Sequence, residues 1–177
     1  GTLSYNGNKI ITTGGGGMIL AGEELGARAK HLTTTAKKPH PYEYVHDELG
    51  YNYRLPNLNA ALGCAQLEQL EAFIAIKREL AARYAAHLAG SELQFFTEPA
   101  ECRSNYWLNA VICANHEQRD ALLKATNDKG VMTRPIWALM NRLPLYAHCR
   151  KGDLSNAEWL EARVVNLPSS VLPDALA

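Results

Sequence analysis

Apolar and polar positions alternate in three different ways along this chain, and each pattern predicts different elements. Near the start, the runs Ile10–Thr12 and Met18–Leu20 flank Gly14–Gly17. Glycine reaches positive φ and admits close neighbours, so this pattern predicts two short strands joined by a tight connection. Glu23 to His31 has helical composition, with acidic residues early and Arg28 and Lys30 late. From Leu32 to Pro56 no period is sustained, and Pro39, Pro41 and Gly50 interrupt it. A loop of that length inside a compact domain is usually functional or disordered.

A long helix is expected from Asn57, as its cap, to about Leu88, closed by Gly90. Its first part, Leu58 to Leu67, is apolar on nearly every face and predicts deep burial. Its second part carries one stripe, Phe73, Ile76, Leu80, Tyr84 and Leu88, at spacings of three and four. This change suits a connector leaving one domain and entering another. Beyond it, Leu93 to Phe96, Tyr106 to Cys113, Val131 to Thr133 and Asn166 to Ser170 read as strands. Two helices are expected among them. One opens on the Asn115/Gln118 capping box and stops before Gly130, and the other opens on Ser155/Glu158 and runs through Val164. The Pro135 to Tyr146 segment is irregular. The fold class is therefore α/β, with residues 1–70 in one part and 71–177 in another.

Composition narrows the function. A hydrophobic fraction of 47%, a charged fraction of 20% and zero net charge describe a globular protein. They leave no basic footprint for nucleic acid or an anionic membrane. Apolar runs are too short to span a bilayer and the N-terminus has no leader pattern, so a cytoplasmic protein is expected. Cys64, Cys102, Cys113 and Cys149 lack C-x-x-C spacing and are expected to be reduced and mostly buried. The six histidines show no ligand spacing, so no metal is expected.

Lys9 stands between the polar turn Tyr5-Asn6-Gly7-Asn8 and the β-branched run, just before the four glycines. A solvated strand-end lysine and a lysine facing a ligand both fit that position. No Gly-Lys-Ser/Thr follows, and the spacing is wrong for G-x-G-x-x-G, so the glycines are no nucleotide-triphosphate loop.

The run Asn6-Gly7-Asn8-Lys9-Ile10-Ile11-Thr12-Thr13-Gly14-Gly15-Gly16-Gly17 resembles the cofactor-lysine segment of the DegT/StrS-type sugar-nucleotide aminotransferases. These are fold-type I pyridoxal 5′-phosphate (PLP) enzymes. Further similar segments are Gly50-Tyr51-Asn52-Tyr53-Arg54-Leu55-Pro56-Asn57, Asn59-Ala60-Ala61-Leu62-Gly63, Thr133-Arg134-Pro135-Ile136-Trp137 and Asn166-Leu167-Pro168-Ser169-Ser170. The combination is most similar to the LegC-like subgroup, which aminates a UDP-linked 4-keto-6-deoxy sugar.

The resemblance implies that Lys9 is the catalytic, cofactor-holding lysine, PLP being bound as its Schiff base. Such a lysine must lose its proton to attack an aldehyde and can later shuttle one between substrate and cofactor. It also implies that Asn52 reaches the cofactor phosphate of a partner subunit and that Arg54 lies near the same anion, which makes the enzyme a homodimer with a shared site. Against this stand a turn role for Asn52 and a surface role for Arg54. Arg134 and Trp137 border the substrate mouth by the same resemblance, although a tryptophan among prolines is ordinary packing material. Tyr106-Trp107-Leu108-Asn109 reads as small-domain core, with Asn109 hydrogen-bonded inside it.

Fold-type I enzymes carry, before the lysine, a stretch of comparable length with the acid for the pyridine nitrogen and most of the phosphate cup. The sequence thus resembles the C-terminal part of such an enzyme, comprising the end of the large domain, the connecting helix and the small α/β domain. The expectation is a chain that transaminates a UDP-linked keto sugar, with glutamate as the amino donor, when a missing N-terminal half is supplied and not alone. The competing expectation is a non-catalytic module that dimerises or binds a partner through the Leu58–Leu67 helix face.

Overall fold

In the computed structural model, which describes residues 1–171, the chain divides into two units, Gly1–Glu71 and the segment from Ala72 onward. The first unit begins with strand β1 (Thr2–Ser4), which pairs antiparallel with β2 (Gly17–Ile19), Leu3 opposite Met18. A Cβ on Gly17 would stand 2.5 Å from the Leu3 carbonyl oxygen, so the pairing admits no side chain there. The expected hairpin is therefore displaced, because Ile10 and Ile11 form bends and Thr12 joins no strand. The physical reason is that residues 5–13 close on themselves. The Tyr5 carbonyl accepts the Thr13 amide and the Thr12 hydroxyl, each at 3.0 Å, and the Lys9 amide donates to the Asn6 carbonyl at 3.0 Å. Those bonds use groups that a strand would have offered to a neighbour.

Helix α1 (Glu23–Thr33) runs two residues past the expected end and keeps Glu23 and Glu24 in its first turn and Lys30 and His31 in its last. The following segment lacks regular elements but is bonded closely. Thr34 and Asn52 form one bridge and Lys37 and His46 another, while the Tyr51 and Tyr53 amides donate to the Leu32 and Thr33 carbonyls at 2.7 and 2.9 Å. Gly50 makes this return possible, since a Cβ on it would lie 2.4 Å from the Ala36 nitrogen.

The expected single long helix is two, α2 (Asn57–Glu68) and α3 (Leu70–Leu88), separated at Gln69. Asn57 is the first helical residue and does not cap, Pro56 holding the cap position with extended backbone. No residue of α2 is fully buried, against the expectation for Leu58–Leu67, and Leu58 is 87% exposed. Its more sheltered positions are Asn59, Ala60, Gly63 and Gln66, which are small or polar. The helix turns this face inward because it makes directed hydrogen bonds to the loop of residues 5–13, which leucines could not make.

In the second unit a four-stranded sheet has the order β3 (Gln94–Phe95), β4 (Asn109–Ile112), β6 (Val164–Leu167), β5 (Arg134–Pro135), antiparallel throughout. Val111, Cys113 and Val165 form its core, joined by Leu88 of the stripe on α3, by Leu93, Phe95 and Leu167, and by Leu122 and Leu123 of helix α4 (His116–Asp128). The Asn115 cap holds, and Gln118 reaches back one residue further than a capping box would. The Gln118 amide donates to Asn115 Oδ1 at 2.8 Å, and Gln118 Oε1 accepts the Ala114 amide at 2.6 Å. The strand expected at Val131–Thr133 falls instead at Arg134–Pro135, because the Val131 amide is still tied to the Thr126 carbonyl at the end of α4. Helix α5 (Ser155–Glu161) is shorter than expected. Ser155 does not cap it; Asp153 accepts the Ser155 amide at 3.0 Å and hydroxyl at 2.9 Å. Val164 then starts β6, earlier than the expected Asn166.

Cys113 is buried, but Cys64, Cys102 and Cys149 are exposed, so most of the cysteines are not core residues; all four are free thiols. Polar groups also lie inside this unit. Lys77, 4% exposed, sits within the apolar stripe of α3 and donates to the Ser169 carbonyl and to the Trp107 carbonyl at 3.3 Å. Burial pulls its pKa down. Asn109 donates through its amide side chain to Ser169 Oγ at 3.2 Å, while its Oδ1 has no partner among the described residues.

Candidate functional site

Lys9 lies at the turn of a loop fixed at three levels. The innermost is the Asn6–Lys9 turn, reinforced by Asn6 Nδ2 donating to Asn8 Oδ1 at 3.1 Å. The next is the closure at Tyr5, which is buried, as is Thr13. The outermost is α2, where Asn59 Nδ2 donates to the Thr13 carbonyl at 2.6 Å and Gln66 Oε1 accepts the Thr12 amide at 3.3 Å. Lys9 itself is half-buried. The glycines that follow carry the turn back to β2. Gly14 and Gly16 have φ of 79° and 95°, and the Thr13 hydroxyl donates to the Gly15 carbonyl.

Asn52 and Arg54 are brought together. Arg54 donates through one terminal nitrogen to Asn52 Oδ1 and through the other to the Thr34 carbonyl, both at 2.9 Å. A guanidinium has five donors, so these two bonds orient it and leave others for an anion. Asn52 in turn has its oxygen on the cation and its NH2 group left to donate. Arg54 also lines a groove of 580 Å³ walled by Gly15–Gly17, Tyr53 and Asn59. Lys9 is not part of that wall. A phosphate suits the paired amide and guanidinium donors, and the glycine wall offers backbone without side chains. The groove residues therefore fit a phosphate group, and Lys9 offers an amine outside that wall.

The loop leading to Asn52 is clasped to α1. Arg28 grips both oxygens of Glu48, and His31 Nε2 lies 2.7 Å from Asp47 Oδ1. The contact with His31 holds the Asp47 carboxyl below its usual range, and Arg28 does the same for Glu48. Histidine spacing alone gave no hint that His31, Asp47 and Glu48 gather within 4.8 Å. Because Arg28 engages both Glu48 oxygens, the group is an ion-pair clasp.

Arg134 and Trp137 are both exposed, in the second unit. Arg134 donates to Asn127 Oδ1 and to the Thr133 carbonyl, each at 3.1 Å, which ties it to the end of α4. Trp137 stacks on Trp107 with ring centroids 6.4 Å apart and remains 68% exposed, so its outer face is open.

The DegT/DnrJ/EryC1/StrS aminotransferase family matches residues 1–173. The chain belongs to that family. Among curated relatives, GDP-perosamine synthase of Escherichia coli O157:H7 is 38% identical over 170 residues, covering 95% of this chain and 46% of that protein. EpsN of Bacillus subtilis (strain 168), named for pyridoxal phosphate-dependent aminotransfer, is 35% identical over 179 residues, covering 96% and 45%. The crystal structure of the aminotransferase TlmJ from Streptoalloteichus hindustanus superposes with a TM-score of 0.89 at 28% identity, over 99% of this chain and 48% of that one. The chain thus spans about half the length of the relatives it matches. Its fold is the corresponding α/β part of a fold-type I aminotransferase, and the family chemistry is PLP-dependent transfer of an amino group to a sugar. Among the described residues no helix is long and apolar enough to cross a membrane.

Asn59 and Gln66 carry parts in this site that the sequence reading did not give them. Their spacing of seven puts two polar residues on one face of an otherwise apolar helix, and that was the available signal.

Proposed function

We propose that these residues form the C-terminal part of a cytoplasmic, PLP-dependent aminotransferase acting on a nucleotide-linked 4-keto-6-deoxy sugar, with glutamate as donor. The observation that carries the reading is the fixed loop presenting Lys9 in a unit that also sets Asn52 and Arg54 together beside a glycine-walled groove. In this reading the first unit belongs to the cofactor-binding domain and the second is the small domain. The rest of the pocket comes from residues outside these 177, in the same polypeptide or another.

When bound, PLP supplies the electron sink that lets an amino group pass between an amino acid and a keto carbon. Lys9 Nζ holds the cofactor and, once released, moves the proton that fixes the stereochemistry of the product. Asn52 and Arg54 donate to the cofactor phosphate, in the shared site of a homodimer. Trp137 offers its open indole face, and Arg134 its remaining donors, to the sugar nucleotide. The resemblance points to UDP as the nucleotide, whereas the name of the E. coli relative carries GDP; parallel assays with both nucleotide sugars decide between them.

The test is reductive trapping. The complete protein is mixed with PLP, treated with borohydride and digested, and the peptides are weighed. The expected result is one equivalent of label on Lys9, lost in Lys9→Ala. Labelling spread evenly over the surface lysines overturns the reading. A second reading rests on the outward Leu58, Leu62 and Leu67 of α2, an apolar surface suited to a binding module. It is favoured if the chain self-associates in light scattering while Lys9 stays unlabelled.

A further inference from the structure

We infer that Asn59 and Gln66 are positioning residues for Lys9, acting through a two-point clamp between α2 and the loop that bears the lysine. The inference rests on the proposed role of Lys9. The two contacts have opposite polarity. Asn59 is the donor, its Nδ2 reaching the Thr13 carbonyl at 2.6 Å, while Gln66 is the acceptor, its Oε1 taking the Thr12 amide at 3.3 Å. Asn59 and Gln66 are seven positions apart, two turns along one helical face. Gly63 lies between them, where an added Cβ would come to 3.0 Å from Thr13 Cγ2. Helix and loop therefore meet at close range along a strip of two adjacent loop residues.

The clamp fixes the peptide groups on either side of the Thr12–Thr13 bond, through Thr12 N–H and Thr13 C=O, from outside the loop. From inside, the Tyr5 carbonyl takes the Thr12 hydroxyl and the Thr13 amide. Between this anchored end and the Asn6–Lys9 turn only Ile10 and Ile11 intervene. A shift of the loop at Thr12 and Thr13 thus passes through two residues to Lys9. Placement errors near 1 Å cost a reacting group about a hundredfold in rate, so the clamp sets how well Lys9 meets an aldehyde. It also explains why α2 turns two amides and a glycine to its sheltered face while its leucines point away.

Because the bonds run in opposite directions, nearly isosteric carboxylates separate positioning from mere packing. Gln66→Glu keeps an acceptor for the Thr12 amide, whereas Asn59→Asp sets a carboxylate against the Thr13 carbonyl. The complete protein and the variants Q66E, Q66A, N59D and N59A are labelled with PLP and borohydride, and the yield on Lys9 is divided by that on Lys30 and Lys124 of the same sample. Amide exchange at Thr12 is followed without cofactor, and thermal unfolding of each variant is recorded. Wild type and Q66E are expected to label Lys9 selectively, and Q66E to retain exchange protection at Thr12. N59D, N59A and Q66A are expected to lose at least fivefold of the Lys9 preference while still unfolding cooperatively. Equal selectivity in all five proteins overturns the clamp and leaves the role of Lys9 intact. Equal loss in Q66E and N59D also overturns it, since the added charge and not the direction of each bond would then decide the outcome. If wild type itself labels Lys9 no faster than Lys30, the proposed function has failed first.

Discussion

The two units solve the problem of a small interior in opposite ways. The second closes an apolar core of Val111, Cys113 and Val165 between a sheet and helices and stores its polar groups, Lys77, Asn109 and Ser169, in a bonded cluster beside it. The first buries a tyrosine, a threonine and an alanine and turns many of its large apolar side chains outward, among them Met18, Ile19, Leu58 and Leu62. Hydrogen bonds hold its shape where packing holds the other. Residues that bear candidate chemistry, Lys9, Asn52 and Arg54, sit in the hydrogen-bonded unit. There each direction is set by a particular donor or acceptor, and exposure of leucines does not matter to the local geometry.

The largest test of that contrast is a charge in each unit. Val165→Asp places a carboxylate in a dry core and is expected to cost about 4 kcal/mol or more, unfolding the second unit. Leu58→Asp on the outward face of α2 is expected to change the stability of the first unit by about 0.5 kcal/mol or less. Urea denaturation followed by amide exchange in each unit measures both, and similar costs would erase the distinction drawn here.

Next in size is Gly50→Ala. Its methyl would stand 2.4 Å from the Ala36 nitrogen, a backbone atom that cannot swing aside. The expected cost is about 1–3 kcal/mol, with faster amide exchange at Tyr51 and Tyr53, which donate to the end of α1. Unchanged exchange at those two amides would show that the returning segment has no need of the glycine.

A smaller effect tests the second unit by pH. Glu98 accepts both terminal nitrogens of Arg78, at 2.9 and 2.7 Å, and the Ser104 amide, which lowers its pKa to about 2. A carboxyl depressed on folding stabilises above its unfolded value near 4.5, and that contribution is lost as pH falls through the folded value. The second unit should therefore lose stability between about pH 4.5 and 2, and Glu98→Gln should flatten that slope. Thermal melts across this window check it, and an unaltered slope in the variant would assign the acid response to other groups.

The smallest expected effect leaves stability untouched. Cys64, Cys102 and Cys149 should react at once with a thiol reagent under native conditions, and Cys113, buried and with its pKa raised by that burial, only on unfolding. Four fast thiols would mean that the sheet core opens readily.

The second unit was the more legible one in the sequence. Its stripe from Phe73 to Leu88, its strands around Val111 and Val165 and its Asn115 cap all follow from periodicity and capping, which register burial in a local core. Ends slipped where a competing bond intervened, as when Val131 stayed with α4 or Asp153 displaced Ser155 at α5. In the first unit the same reasoning misplaced the partner of β2 and the burial of α2. A hydrophobic count assumes that leucines seek the interior, yet α2 is oriented by Asn59 and Gln66. Lys9, Asn52 and Arg54 were singled out by family resemblance and not by any local pattern. Their geometry was not, because it depends on carbonyls of Tyr5, Thr13 and Thr34, and every residue type carries a carbonyl.

The clasp of Arg28 with Glu48 and His31 with Asp47 lies at the surface, where dissolved ions reach it. At about 0.15 M salt the screening length is about 8 Å, and at 1 M about 3 Å. The segment from Thr34 to Arg54 is thus held partly by forces that the ionic composition of the surroundings can weaken, while the glycine contact at Gly50 and the backbone bridges are indifferent to it. Salt becomes a dial on one half of the restraint behind Asn52 and Arg54, and buffers chosen for crystallisation or for storage will set that dial without anyone touching the sequence.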